Sequence, residues 1–114
     1  MAIIGEATYT EVKEHFVCRE LDLIKVKGKQ KPIRIYELIG KKGEADEITK
    51  KSIAHFQTGL ECYRQSKWKA AIAEFTEALK TKDDTASKIF IERCKLLQKE
   101  APKDWDGVFT MKTK

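Results

Sequence analysis

Asparagine is absent from this chain of 114 residues, and proline occurs twice, histidine twice, cysteine three times and glycine six times. So little glycine and proline excludes collagen-like and low-complexity structure. Cys18, Cys62 and Cys94 are odd in number and far apart, which suggests neither a disulfide framework nor a closely spaced zinc pair. Reduced, partly buried thiols are the expectation. His15 and His55 stand alone as well, so no metal-ligand set is visible and no metal is expected within this stretch. No apolar run approaches the ~18 residues of a membrane span. Residues 1–6 lack both the basic start and the long apolar stretch of a signal peptide. These absences point to a soluble, cytoplasmic protein without a membrane partner.

What is present is a chain with 41% hydrophobic and 36% charged residues, a balance that favours packed structure over disorder. Its length allows one small domain or two smaller pieces, too little for a large self-contained enzyme. The net charge is +5, yet neither half of the chain is a basic block. One stretch stands out: Lys25, Lys27, Lys29, Lys31 and Arg34 fall between Leu23 and Tyr36 with no acid among them, around the single glycine Gly28. Such a stretch is a local anion site or a sheet edge guarded against pairing. Only Tyr36 supplies an aromatic ring there, so a stacking platform for nucleic acid is missing and nucleic-acid binding is disfavoured.

Two textures follow one another along the chain, and together they predict an α+β fold. Ile3 and Ile4 end a strand, and residues 6–13 form a short helix opened by an acid. From Phe16 to Val26 apolar residues alternate on both parities, with Val17, Leu21 and Leu23 on one and Phe16, Cys18, Ile24 and Val26 on the other. This suits a strand covered partly on both faces. Residues 27–30 supply a turn, and after Pro32 the β-branched and aromatic run 33–39 returns as an antiparallel partner. Residues 41–50 read as a linker. Beyond it Ile53, Phe56, Leu60 and Tyr63 make one helical stripe and Ile72, Phe75 and Leu79 another, with Ser66-Lys67 between them forcing an antiparallel hairpin. Asp83-Asp84-Thr85 caps a third helix running to about Lys99. The sequence thus divides into a sheet piece (1–40), a linker (41–50), a helical segment (51–100) and an aromatic tail (101–114), whose Trp105 and Phe109 are expected to lie on a helix face.

The order Gly59, Tyr63, Trp68, Ala71, Phe75, Ala78 resembles the tetratricopeptide repeat, in which small residues let two helices approach and aromatics fill the space between. Tyr63, Trp68 and Phe75 are then either groove or core. As groove, they would make a free-standing protein-interaction module that binds a partner peptide or self-associates.

The runs Ile4-Gly5-Glu6-Ala7-Thr8-Tyr9, Phe16-Val17-Cys18-Arg19-Glu20-Leu21-Asp22, Val26-Lys27-Gly28-Lys29 and Pro32-Ile33-Arg34-Ile35-Tyr36-Glu37-Leu38 resemble, in order and spacing, the C-terminal end of a class III adenylate/guanylate cyclase catalytic domain. The bacterial branch with a repeat-like tail ending Asp104-Trp105-Asp106-Gly107-Val108 is the best match. The resemblance implies that Lys27, with Lys29 as a second candidate, contacts the triphosphate of ATP or GTP, and that Gly28 lets the backbone turn. It also implies that the two metal-binding aspartates, the base-reading residues and an Asn-x-x-x-Arg pair lie upstream of the matching portion. Mg or Mn would be the metal of such a parent enzyme. The segment alone is then expected to be non-catalytic, a contributor to cyclic nucleotide signalling through its hairpin and helical appendage. Self-association is expected as well, because a hairpin taken from its sheet leaves edges to cover.

Overall fold

The computed structural model describes residues 2–26, 31–43, 46–100, 105 and 107–111. The chain folds as two compact units, one made of Met1–Ala45 with Val108–Lys114 and the other of Asp46–Gly107.

The sheet unit runs β1 (Ala2–Gly5), α1 (Glu6–Val12), β2 (Phe16–Val26) and β3 (Ile33–Lys41), and β4 (Phe109–Met111) joins it from the far end of the chain. The strand order is β1-β3-β2-β4. β1 and β2 both pair antiparallel with β3, and β4 lies parallel to β2 with Ile24 opposite Phe109, Lys25 opposite Thr110 and Val26 opposite Met111. The α+β class and the antiparallel hairpin are as the sequence predicts.

The assignment of β2 side chains to two faces by simple parity is not. The register shifts between Val17 and Cys18 and again between Glu20 and Asp22, and a bulge moves every later side chain to the other face. Cys18 opposite Leu38 and Leu23 opposite Arg34 therefore lie on the side of Tyr36, whereas Arg19 opposite Glu37 and Asp22 opposite Ile35 lie on the other. α1 covers the Tyr36 side: the rings of Tyr9 and Tyr36 stack with centroids 3.8 Å apart and planes 2° from parallel.

The helical unit holds α2 (Glu47–Arg64), α3 (Trp68–Thr81) and α4 (Thr85–Glu100). α2 begins inside the span read as linker, because the Asp46 side chain accepts a hydrogen bond from the Thr49 amide at 2.8 Å and caps the first turn. Its other end closes tightly. Lys67 N donates to Cys62 O at 2.8 Å and Ser66 N to Tyr63 O at 3.2 Å, with Ser66 left-handed at φ 64, so α3 starts antiparallel after three residues. Asp84 accepts from the Ser87 amide and hydroxyl and caps α4. Phe56, Tyr63, Phe75, Ala71, Ala78 and Cys94 are fully buried. Gly59 makes this packing possible, since a Cβ there would stand 2.7 Å from the Phe75 ring.

Candidate functional site

The β2–β3 connection is the basic stretch. Ile24 opposite Ile33 is the last antiparallel pair between the two strands, and residues 25–32 lie between them in the sequence. Lys25 and Val26 extend β2 beyond β3 and pair with β4 instead. Pro32 explains where β3 begins, since its missing N–H cannot serve the ladder. Lys27, Gly28 and Lys29, the residues carried over from the cyclase resemblance, lie outside the described residues. Their flanks do not: Lys25 is half-buried at the strand end and Lys31 exposed beyond the loop.

Arg34 is set apart from this group by the fold. No acid adjoins it in sequence, yet its Nη1 lies 2.7 Å from Glu20 Oε2 across the hairpin, so much of its charge is matched within the sheet. On the opposite face Arg19, 5% exposed, donates from Nε and Nη2 to Glu37 Oε1, each at 2.7 Å. Both arginines of the sheet unit are thus held by carboxylates, and the lysines at the ends of the loop carry the positive charge there. A run of like charges at alternate positions repels itself, and a multivalent anion relieves that repulsion. Away from the loop, two groups of the sheet unit are pushed toward their neutral forms: burial raises the Tyr36 hydroxyl against the opposing pull of Arg34, and burial raises the Cys18 thiol against Lys42.

Tyr63, Trp68 and Phe75 come together in the helical unit. Tyr63 and Phe75 are fully buried and Trp68 half-buried. Phe90 of α4 meets Phe75 at 5.3 Å and Tyr63 at 5.1 Å. Trp105 then meets Tyr63 at 5.3 Å and Trp68 at 5.4 Å, so α4 and the tail fill the space a peptide groove would need. Arg93 lies over the Phe90 ring at 4.6 Å and donates to the Tyr63 hydroxyl at 3.3 Å.

Trp105 does more than pack. Its Nε1 is within hydrogen-bond reach of Tyr63 O at 3.2 Å and Arg64 O at 3.1 Å, two of the last α2 carbonyls, beyond which no further helical turn follows to supply amides. Gly107, at φ 86, lies where a Cβ would stand 3.2 Å from Arg64 Cβ. The pairing of Trp105 with Phe109 on one helix face is therefore corrected. Gly107 turns the chain, and Phe109 enters a β-prone run that extends the sheet. The aromatic pair in so short a tail was the signal for Trp105 in the sequence; the carbonyls that Trp105 caps are invisible there.

The remaining reactive groups are dispersed. His55 Nδ1 lies 2.9 Å from Glu74 Oε1 between α2 and α3. Cys94 is buried, which pushes its thiol up to about 11, and all three cysteines are free. Among the described residues no group of three His, Cys, Asp or Glu side chains is placed to hold a metal ion. Among them, too, no helix is long and apolar enough to cross a membrane.

No protein-family model matches the chain, and no solved structure matches it. A curated protein does: the chain is 33% identical over 93 residues to "Adenylate cyclase, terminal-differentiation specific" of Dictyostelium discoideum. The alignment takes in 78% of this chain and 4% of that protein. The chain is thus related to an adenylate cyclase and corresponds to a small fraction of its length.

Proposed function

We propose that this chain is a C-terminal segment of a class III nucleotide cyclase, of the type found in bacteria, acting in the cytoplasm. In that reading the basic stretch 25–32 contributes to holding the triphosphate of ATP, with GTP as the second candidate, and the tetratricopeptide-like helices form a packing appendage. The observation that carries the reading is the likeness to an adenylate cyclase across 78% of the chain. The local electrostatics support it, because the sheet's arginines are matched by Glu20 and Glu37 while the loop between Lys25 and Lys31 has no acid in its sequence. Lys27 is the principal candidate and Lys29 the second, as compact cations that can track phosphate oxygens without a fixed fork. A peptide-binding module is the weaker reading, since Tyr63 and Phe75 are buried beneath Phe90 and Trp105.

The test is a titration of the chain with ATP and with tripolyphosphate, followed by backbone amide shifts. Residues 25–32 are expected to move with millimolar affinity, weakening as salt rises. Lys27→Ala is expected to weaken binding by about three- to tenfold, as for loss of one charge-assisted contact. Shifts confined to other parts of the chain, or affinity unchanged in Lys27→Ala and Lys29→Ala, would show the reading to be wrong.

A further inference from the structure

We propose that the corner where α2 gives way to α3 is a binding site for an indole, kept filled by the chain's own Trp105 and fitted to a tryptophan in an acidic segment of another polypeptide. All of its parts lie within the helical unit.

Two rings form the walls of the seat. Tyr63, fully buried, and Trp68, half-buried, meet at 6.0 Å with their planes 69° apart. The Trp105 ring stands edge-on to both, at 5.3 Å and 5.4 Å, so that the positive edge of one ring meets the negative face of another. The floor is polar: the carbonyls of Tyr63 and Arg64 lie 3.2 Å and 3.1 Å from Trp105 Nε1. The turn itself sets their placement, for Lys67 N donates to Cys62 O at 2.8 Å and Ser66 N to Tyr63 O at 3.2 Å, with Ser66 left-handed at φ 64. Acceptors fixed in advance favour a bicyclic ring that carries an N–H over one that has no donor to offer them. Gly107 adds a second point of recognition, since at φ 86 a Cβ there would stand 3.2 Å from Arg64 Cβ. A Trp-x-Gly sequence meets both demands.

Charge supplies the preference for an acidic segment. Lys67 and Lys69 are exposed on the turn and at the start of α3, whereas Trp105 stands between Asp104 and Asp106 in the sequence. Opposite signs on the two sides steer such a tryptophan toward the seat and disfavour one in a basic segment. Trp105 is only half-buried, which leaves the edge of the seat accessible to a competitor. The docked tail is then an autoinhibitory contact, occupying in cis, at high effective concentration, what a partner occupies in trans.

The experiment titrates the full chain carrying Trp105→Ala with indole, with benzofuran, in which oxygen replaces the N–H, and with the peptides Asp-Trp-Asp-Gly and Ser-Trp-Ser-Gly, following backbone amide shifts. Indole is expected to move residues 62–69 with a Kd of about 1 mM, and benzofuran to bind about tenfold more weakly for want of a donor. The acidic peptide should bind about threefold more tightly than the serine peptide, a difference that closes as salt rises. Wild type should bind the acidic peptide at least about tenfold more weakly than the variant does, because Trp105 competes. Should Trp105→Ala lose its helices, indole is expected to restore helical circular dichroism where benzofuran does not, by binding the folded form alone. Failure of indole both to shift residues 62–69 and to restore helix would overturn the proposal, as would benzofuran binding as tightly as indole, or equal affinity of the acidic peptide for wild type and variant. Equal binding of the two peptides at low salt would refute the acidic partner.

Discussion

Gly59 and Ser66 are opposite cases of the same backbone economy. Gly59 sits inside α2, where alanine would ordinarily be favoured by about 1 kcal/mol, but the Phe75 ring stands only 2.7 Å from where a Cβ would lie. Gly59→Ala must push aside a fully buried ring, and overpacking of this kind costs about 2 kcal/mol, more than the helix gains. Ser66 is the reverse: an exposed residue held left-handed at φ 64 where glycine is the usual occupant. Ser66→Gly is expected to stabilise the helical unit by about 1 kcal/mol, the strain of a Cβ in that region less the added freedom of the unfolded glycine. Urea denaturation followed by helical circular dichroism checks both. Equal effects of one sign would show that neither contact controls the α2–α3 packing. Gly59 could be picked out from the sequence by its place before Tyr63 and Trp68, whereas Ser66 gave no such signal, because a left-handed serine has the same letter as any other.

At the scale of elements, the legible parts were those in which a local period and a local cap agree. β2 and β3 were bounded by Gly28 and Pro32, and α4 by Asp84, so their extents follow from composition. The face assignment within β2 failed because a bulge at Leu21 interrupts the period without any residue that announces it. Long-range pairing was equally hidden: Arg19 and Glu37, or Arg34 and Glu20, are neighbours only once the register is set. Those two pairs predict unequal costs. Glu37→Ala removes the Glu37 carboxylate from Arg19, 5% exposed, and is expected to destabilise the sheet unit by about 3 kcal/mol. Glu20→Ala affects Arg34, whose side chain is 37% exposed and can be rehydrated, and should cost less than about 1 kcal/mol. Amide exchange of the β3 ladder in each variant separates them. A larger loss from Glu20→Ala would mean that burial does not rank the two pairs.

For the whole molecule, the candidate site was legible as a run of lysines and as a likeness in order and spacing, since charge density and motif order are properties of the sequence itself. What the run binds could not follow from composition, because the same lysines would also solubilise a sheet edge; the relationship to an adenylate cyclase over 78% of the chain tilts that balance. The same comparison limits what this chain should do unaided, for it matches only 4% of that protein. Cyclisation of a nucleoside triphosphate needs groups that neutralise the phosphates and activate the ribose hydroxyl in one preorganised place. A loop of lysines can serve the first need in part, and the described residues offer no cluster of carboxylates for the second. Incubated with ATP and Mn²⁺, the purified chain is therefore expected to bind ATP weakly and produce no 3′,5′-cyclic nucleotide above buffer. Sustained turnover that follows the chain through a second purification, and that falls in Lys27→Ala, would place the whole reaction within these 114 residues and refute its reading as a contributing segment.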